Sequence, residues 1–169
     1  MSYLKAIPWF KIKYVLKGIM VGAVAGSVVS AFRMIIYFLN DLMPHIYSFL
    51  RDNTGWLLGW ILLIFLVATL VIFLIRDEPN IQGNGMAELK GQLRGSLRLN
   101  WISVLWRKFL GSALVLGLGV PVGQEGPSIQ IGGVIGQGLN TILRGNKSQE
   151  NIFISSGAAA GLAAAFNAP

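Results

Sequence analysis

The chain has 169 residues, which in water would make one soluble domain, but 54% hydrophobic residues, 12% charged residues and a mean hydropathy of +0.62 exclude that class. The net charge of +7 and pI near 10.1 do not mark a nucleic-acid binder, because the cations flank apolar blocks as the basic loops of a membrane protein do. With no cysteine and a single histidine, His45, disulfide staples, thiolate metal sites and a histidine-ligated metal centre are excluded too, and nothing calls for a cofactor.

Residues 1–17 mix Lys5, Lys11, Lys13 and Lys17 with Trp9, Phe10 and Tyr14, the composition of an amphipathic segment lying in the headgroup region. A secretory signal also opens on basic residues, but the apolar stretch that follows is long and shows no small-residue cleavage site, so it reads as a retained span. A membrane domain is expected from residue 18 to 169. Its first span, Gly18 to Asn40, is apolar apart from Arg33. That residue lies about 22 Å along the helix from Gly18 and is expected to snorkel to the far interface. Gly18, Gly22 and Gly26 form a small-residue stripe suited to close helix packing.

Asp41 to Gly55 carries Pro44, His45, Arg51, Asp52 and Asn53 and reads as an outer loop. From Trp56 to Ile75 there is no charge, and this second span is long enough to cross roughly 30 Å of hydrocarbon. It returns at Arg76, Asp77 and Glu78. Beyond Pro79 the apolar blocks are shorter and broken by glycine, with helices predicted over Met86–Leu97, Trp101–Leu118, Glu125–Leu143 and Gln149–Phe166. Interrupted segments at membrane depth are tolerated where backbone is buried in protein or lines a polar cavity, and in transporters they point to the substrate site.

Two interruptions share one design, a glycine turn directly before a helix start: Gly83-Asn84-Gly85-Met86 and Gly123-Gln124-Glu125-Gly126-Pro127. Glycine permits the tight turn, and Pro127 suits a first helical turn. Each turn leaves backbone N–H groups and a positive dipole end at one spot, an anion site that needs no full cation. A phosphate loop would need a preceding strand and a Gly-Lys-Ser/Thr helix start, and has neither. Glu125 adds a carboxylate at the start of a membrane helix, where it is costly without a function. The helix end that would hold an anion also stabilises this carboxylate, so the two compete, and protonation releases the side chain. One residue thereby serves as gate and proton carrier; its structural alternative is a simple cap of helix amides.

Gly123 to Gly133, read as Gly-Gln-Glu-Gly-Pro-Ser-Ile-Gln-Ile-Gly-Gly, resembles the Gly-Lys/Arg-Glu-Gly-Pro motif and following helix of the CLC chloride channels and transporters. Gly83 to Glu88 resembles that family's upstream Gly-Ser-Gly-Ile-Pro turn. Arg107-Lys108-Phe109 with Gly111 resembles its lysine segment, and Gly157 to Pro169 its next helix. The resemblance implies an all-α, polytopic fold, here the incomplete first half of an inverted repeat, in a multi-pass protein of the cell membrane. It implies an anion site at Gly83, Asn84, Gly85 and Met86, with Asn84 in the place of the family's anion-contacting serine. It implies gating and proton transfer by Glu125 within Gly123, Gln124, Gly126 and Pro127, and electropositive support from Lys108. The implied partners are chloride or fluoride, protons, the lipid bilayer and, at full length, a second copy in a homodimer, with no nucleic acid.

Four residues depart from the family pattern. Asn84 stands for serine, Met86-Ala87 for Ile-Pro and Gln124 for the basic residue. The amide at 84 resembles the family's fluoride-exporting branch, where N–H donors suit a small, strongly hydrated anion. The resemblance also implies further segments beyond Pro169, so this piece alone is expected not to transport. The rival readings are a truncated, non-transporting membrane segment and a membrane enzyme using Glu125 as a general acid/base, for which no second His or Cys partner is available. The basic loops place Lys11 and Lys147 on the cytoplasmic side. Lys147→Cys is therefore expected to resist an impermeant thiol reagent applied outside intact cells, and labelling there would reverse the orientation.

Overall fold

The computed structural model describes residues 9–168, with side chains from Tyr14 onward. Six α-helices follow in order: α1 (Trp9–Asp52), α2 (Leu57–Asp77), α3 (Met86–Leu93), α4 (Trp101–Gly117), α5 (Glu125–Ile142) and α6 (Lys147–Phe166). Short 3₁₀ turns at Thr54–Trp56 and Pro79–Ile81 lead into α2 and out of it, and no strand occurs among the described residues. The fold is all-α as expected.

Two helical stretches, Tyr14–Asp52 and Thr54–Asp77, are long and apolar enough to cross a membrane. Leu58, Phe65 and Ile72 of α2 are between 66% and 78% exposed, and only Leu74 of that helix is buried. An apolar belt on this scale is what a helix presents to lipid.

α1 corrects one expectation. There is no loop at Asp41 to Gly55, since the helix continues to Asp52 through Pro44, whose missing N–H costs one backbone bond. Ile36, Met43 and Leu50 are buried, and Leu39 and Ile46 between them are half-buried. That seven-residue stripe keeps one face of α1 packed through the polar positions, and Tyr47 against Trp60 (6.2 Å between ring centroids) and Phe49 against Trp56 (6.4 Å) fasten the far end to α2 and to the turn before it. The same helix runs unbroken through residues 17 and 18; residues 1–8 of the expected amphipathic segment lie outside the described residues. Arg33 of the same helix binds two protein acceptors. One guanidinium nitrogen donates to the Ala164 carbonyl at the end of α6, and another donates to the Tyr37 hydroxyl at 2.8 Å.

α5 and α6 make the closest helix pair, and glycine is the reason. A Cβ on Gly132 would fall on the Gly157 carbonyl, one on Gly136 on the Phe153 carbonyl, and one on Gly161 on the Ser128 carbonyl. These backbones touch as small-residue helices do in membranes. The stripe expected to be tight is looser: a Cβ on Gly18 would stand 3.7 Å from Ser156 of α6 and one on Gly22 4.0 Å from Ala160, and one on Gly26 would meet nothing within 4 Å. Around this pair a core forms from Val29 and Phe32 of α1, Ala113 and Leu116 of α4, and Ile131 and Ile135 of α5. Helix ends also shift from the expected ones. α3 stops at Leu93 because Gly95 turns left-handed (φ 73°) and the Ser96 N–H bonds the Gly91 carbonyl at 3.0 Å, while α6 starts at Lys147 because the Asn146 side chain caps the Gln149 N–H at 2.9 Å.

Gly132→Ala is expected to destabilise the purified protein by about 1–3 kcal/mol, because the atom it adds meets backbone that cannot yield. Gly26→Ala, with open space, is expected to be neutral or stabilising by up to about 1 kcal/mol. Denaturant unfolding in micelles compares the two, and equal effects would contradict the packing described.

Candidate anion site

Between α2 and α3 the chain turns through Gly83 and Gly85, both left-handed with φ of 70° and 76°, a conformation that glycine adopts without penalty. The Asn84 carboxamide oxygen accepts the Met86 N–H at 3.1 Å, so this side chain closes its own turn at the start of α3. The turn is clamped from two helices. Lys108 of α4, 3% exposed, donates to the carbonyls of Ile81 and Gly83, each at 2.7 Å. From α5, Gln130 lies against Gly85, where a side chain would collide with it, and donates to the Asn80 carbonyl at 2.7 Å.

The second turn meets the first at Gly126. A Cβ there would stand 2.7 Å from the Asn84 carbonyl oxygen and 3.0 Å from its Cα, so the contact exists only because residue 126 has no side chain. At the start of α5 the N–H groups of the first turn have no carbonyl one turn earlier to bond. Ser128 reaches back, its N–H at 3.2 Å and its hydroxyl at 2.7 Å from the Gln124 carbonyl. The Glu125 carboxylate folds over the Gly123 α-carbon, into the space a Cβ would take.

Two cavities adjoin this junction. The first, about 410 Å³, is lined by Gly83, Asn84, Lys108, Gly123 and Pro127, with Arg107 and apolar residues of α2 and α4 around them. The second, about 390 Å³, is lined by Tyr37, Asn40, Gln124 and Glu125. Leu116, Val122 and Gly123 line both and form the partition between them, with the Glu125 side chain on the second side. Thus Gly83, Asn84, Lys108, Gly123 and Pro127 come together at one cavity. Gly85 lies buried under Gln130 and Met86 is exposed; neither lines either cavity.

Beside the first cavity, Arg107 pairs with Asp77 and with Ser103. Ser103 donates to Glu78 at 2.7 Å, whose other oxygen accepts from Asn80 at 2.7 Å. This cluster fixes the linker that leads to Gly83. The sequence reading missed Gln130 and this cluster. A signal for Gln130 existed, an amide in the middle of an otherwise apolar and small run from Ile129 to Gly133, where a buried polar group needs a partner.

Helix starts that meet between two cavities, beside two helices long and apolar enough to cross a membrane, fit a polytopic membrane fold. The chain belongs to the voltage gated chloride channel family, whose profile matches residues 66–169. It is similar to the H(+)/Cl(-) exchange transporter ClcA of Vibrio cholerae, 34% identical over 157 residues, covering 89% of this chain and 33% of the relative. With the transporter of that name from Citrobacter koseri the identity is 36% over 154 residues, 88% of this chain and 32% of the relative. The crystal structure of a slow cyanobacterial Cl-/H+ antiporter matches with a TM-score of 0.83 at 33% identity, over 91% of this chain and 37% of its own. The chain thus spans about a third of the length of the curated relatives it matches, as an incomplete part of their fold.

Lys108→Met tests the clamp. Bonds from a charged donor are worth about 1.5–3 kcal/mol each, so this substitution is expected to lower stability measurably and expose the 79–85 linker to protease. A variant that is as stable and as resistant as the parent would reduce Lys108 to a source of field alone.

Proposed function

We propose that this chain is the N-terminal part of a halide/proton exchanger in which Glu125 is both gate and proton carrier. The observation that carries the reading is the junction itself: two helix starts abut at Asn84 and Gly126, a cavity opens beside them, and a carboxylate stands at its partition. A helix N-terminus stabilises a neighbouring anion by about 0.3–1 kcal/mol at exposed sites and by more when partly buried. Such a site holds a halide without trapping it. The ionised Glu125 side chain competes for that field; once protonated it leaves, and the halide passes. Return of the carboxylate releases the proton, so each turn of the gate links the two fluxes. Transport, with no covalent step, is the activity.

The names of the relatives support chloride as the anion. Fluoride is the alternative that Asn84 motivates, through a side-chain amide beside the cavity. Lys108 adds positive field near the first cavity while its donors stay on backbone carbonyls. Residues 18–169 belong to the membrane domain of a multi-pass protein of the cell membrane. The complete transporter pairs as a homodimer.

In the transporting protein that contains this chain, Glu125→Gln is expected to abolish proton movement driven by a halide gradient while halide movement or binding persists. The amide keeps the shape but neither competes as an anion nor carries a proton. Proton coupling at the parent's level would leave Glu125 as a helix cap. Asn84→Ser is expected to shift preference from fluoride toward chloride by less than about tenfold, because the hydroxyl keeps most of a hydrogen bond to an anion. Relative flux of the two halides measures it, and no change would make Asn84 a turn residue only.

A further inference from the structure

We infer that one edge of the Arg107 guanidinium is a second halide station, across the partition from the Glu125 side chain, with Asp77 as the resident carboxylate that a halide displaces. The inference rests on the halide reading above. The lining of the 410 Å³ cavity has two charged residues, Arg107 and Lys108, and both are cations. Lys108 is bound by the Ile81 and Gly83 carbonyls. Arg107 is held less completely. Its Nη1 donates to the Ser103 hydroxyl, its Nη2 donates to Asp77, and its Nε is buried with no acceptor.

A buried donor without an acceptor is uncommon enough to need a reason. In a guanidinium the Nε–H and one Nη2 N–H run parallel along one edge of the planar fork, so a single acceptor takes both. Asp77 uses Nη2 alone, whereas a halide at that edge satisfies the pair. Asp77 is also easily displaced. Its side chain is 51% exposed, against 18% for Arg107, so it turns into water at little cost, and ion pairs this exposed are weak. The guanidinium stays in place without it. Ser103 holds Nη1 and is itself anchored on Glu78 at 2.7 Å, and the guanidinium carbon lies 4.8 Å from the Trp106 ring centroid, within cation–π range. A station on this wall raises the local halide concentration in the cavity beside the helix starts, and the competing carboxylate keeps it from becoming a trap.

The other role open to Asp77 is purely structural, as part of the cluster that fixes the linker to Gly83, and the two roles give opposite results. The test uses the transporting protein that contains this chain, reconstituted in vesicles, with the chloride flux measured over a series of chloride concentrations. Asp77→Asn keeps the shape and is expected to lower the half-saturating chloride concentration by about two- to fivefold, the range that an exposed ion pair is worth. Arg107→Lys keeps the charge but lacks the parallel donors, and in that background Asp77→Asn is expected to gain less than about twofold. A half-saturation that stays the same or rises in Asp77→Asn overturns the inference, since a structural carboxylate does only that. An equal gain with arginine and with lysine overturns it too, because the carboxylate's field alone would then explain the effect. In either case the gating reading stands if Glu125→Gln still removes proton flux. A parent that moves no halide overturns both.

Discussion

Asn84 and Gly126 touch backbone to backbone, and the geometry of the junction follows from that contact. It requires residue 126 to lack a side chain, and it requires the first turn to bend sharply enough to present its carbonyl, which the left-handed Gly83 and Gly85 allow. It also requires α5 to be held in place along its length. The glycines that let α5 and α6 touch supply that support, with Gln130 and Lys108 pinning the linker from either side. In hydrocarbon, close packing and satisfied polar groups replace the hydrophobic drive that would assemble such a unit in water.

Among the described residues, the cations around the two cavities bond to protein acceptors. Lys108 is held by two carbonyls, Arg107 by a carboxylate and a hydroxyl, and Arg33 by a carbonyl and a phenol. Each directs part of its donors to protein acceptors, so its charge acts largely as field, and the groups offered at the junction are helix amides with partial charges. In the proposed mechanism this is what makes the site suitable for passage: a halide is attracted, yet no full charge desolvated beside it holds it there. A single carboxylate of similar field strength is then enough to displace it.

Much of this was legible in the sequence, since glycine turns before helix starts, a carboxylate in one of them and two long apolar blocks each have a direct physical meaning. What stayed hidden depended on partners far along the chain. The polar residues from Asp41 to Asn53 suggested a loop, whereas the stripe of Ile36, Met43 and Leu50 keeps them helical. Arg33 looked like a residue bound for the interface, and its acceptor on α6 lies 131 positions away. Gly18, Gly22 and Gly26 form the regular glycine stripe, but the tight contact is made by Gly132, Gly136, Gly157 and Gly161, split between two helices whose pairing no local pattern reveals. Lys108 reads as a pore charge because a sequence shows the charge and not the two carbonyls that bind it.

The most direct test of the central claim is the position of a bound halide. Anomalous diffraction from bromide-soaked crystals of the transporting protein that contains this chain is expected to place an ion in the cavity lined by Gly83, Asn84, Gly123 and Pro127, beside the two helix starts. Bromide bound only elsewhere, with that cavity empty at saturating concentration, would contradict the account.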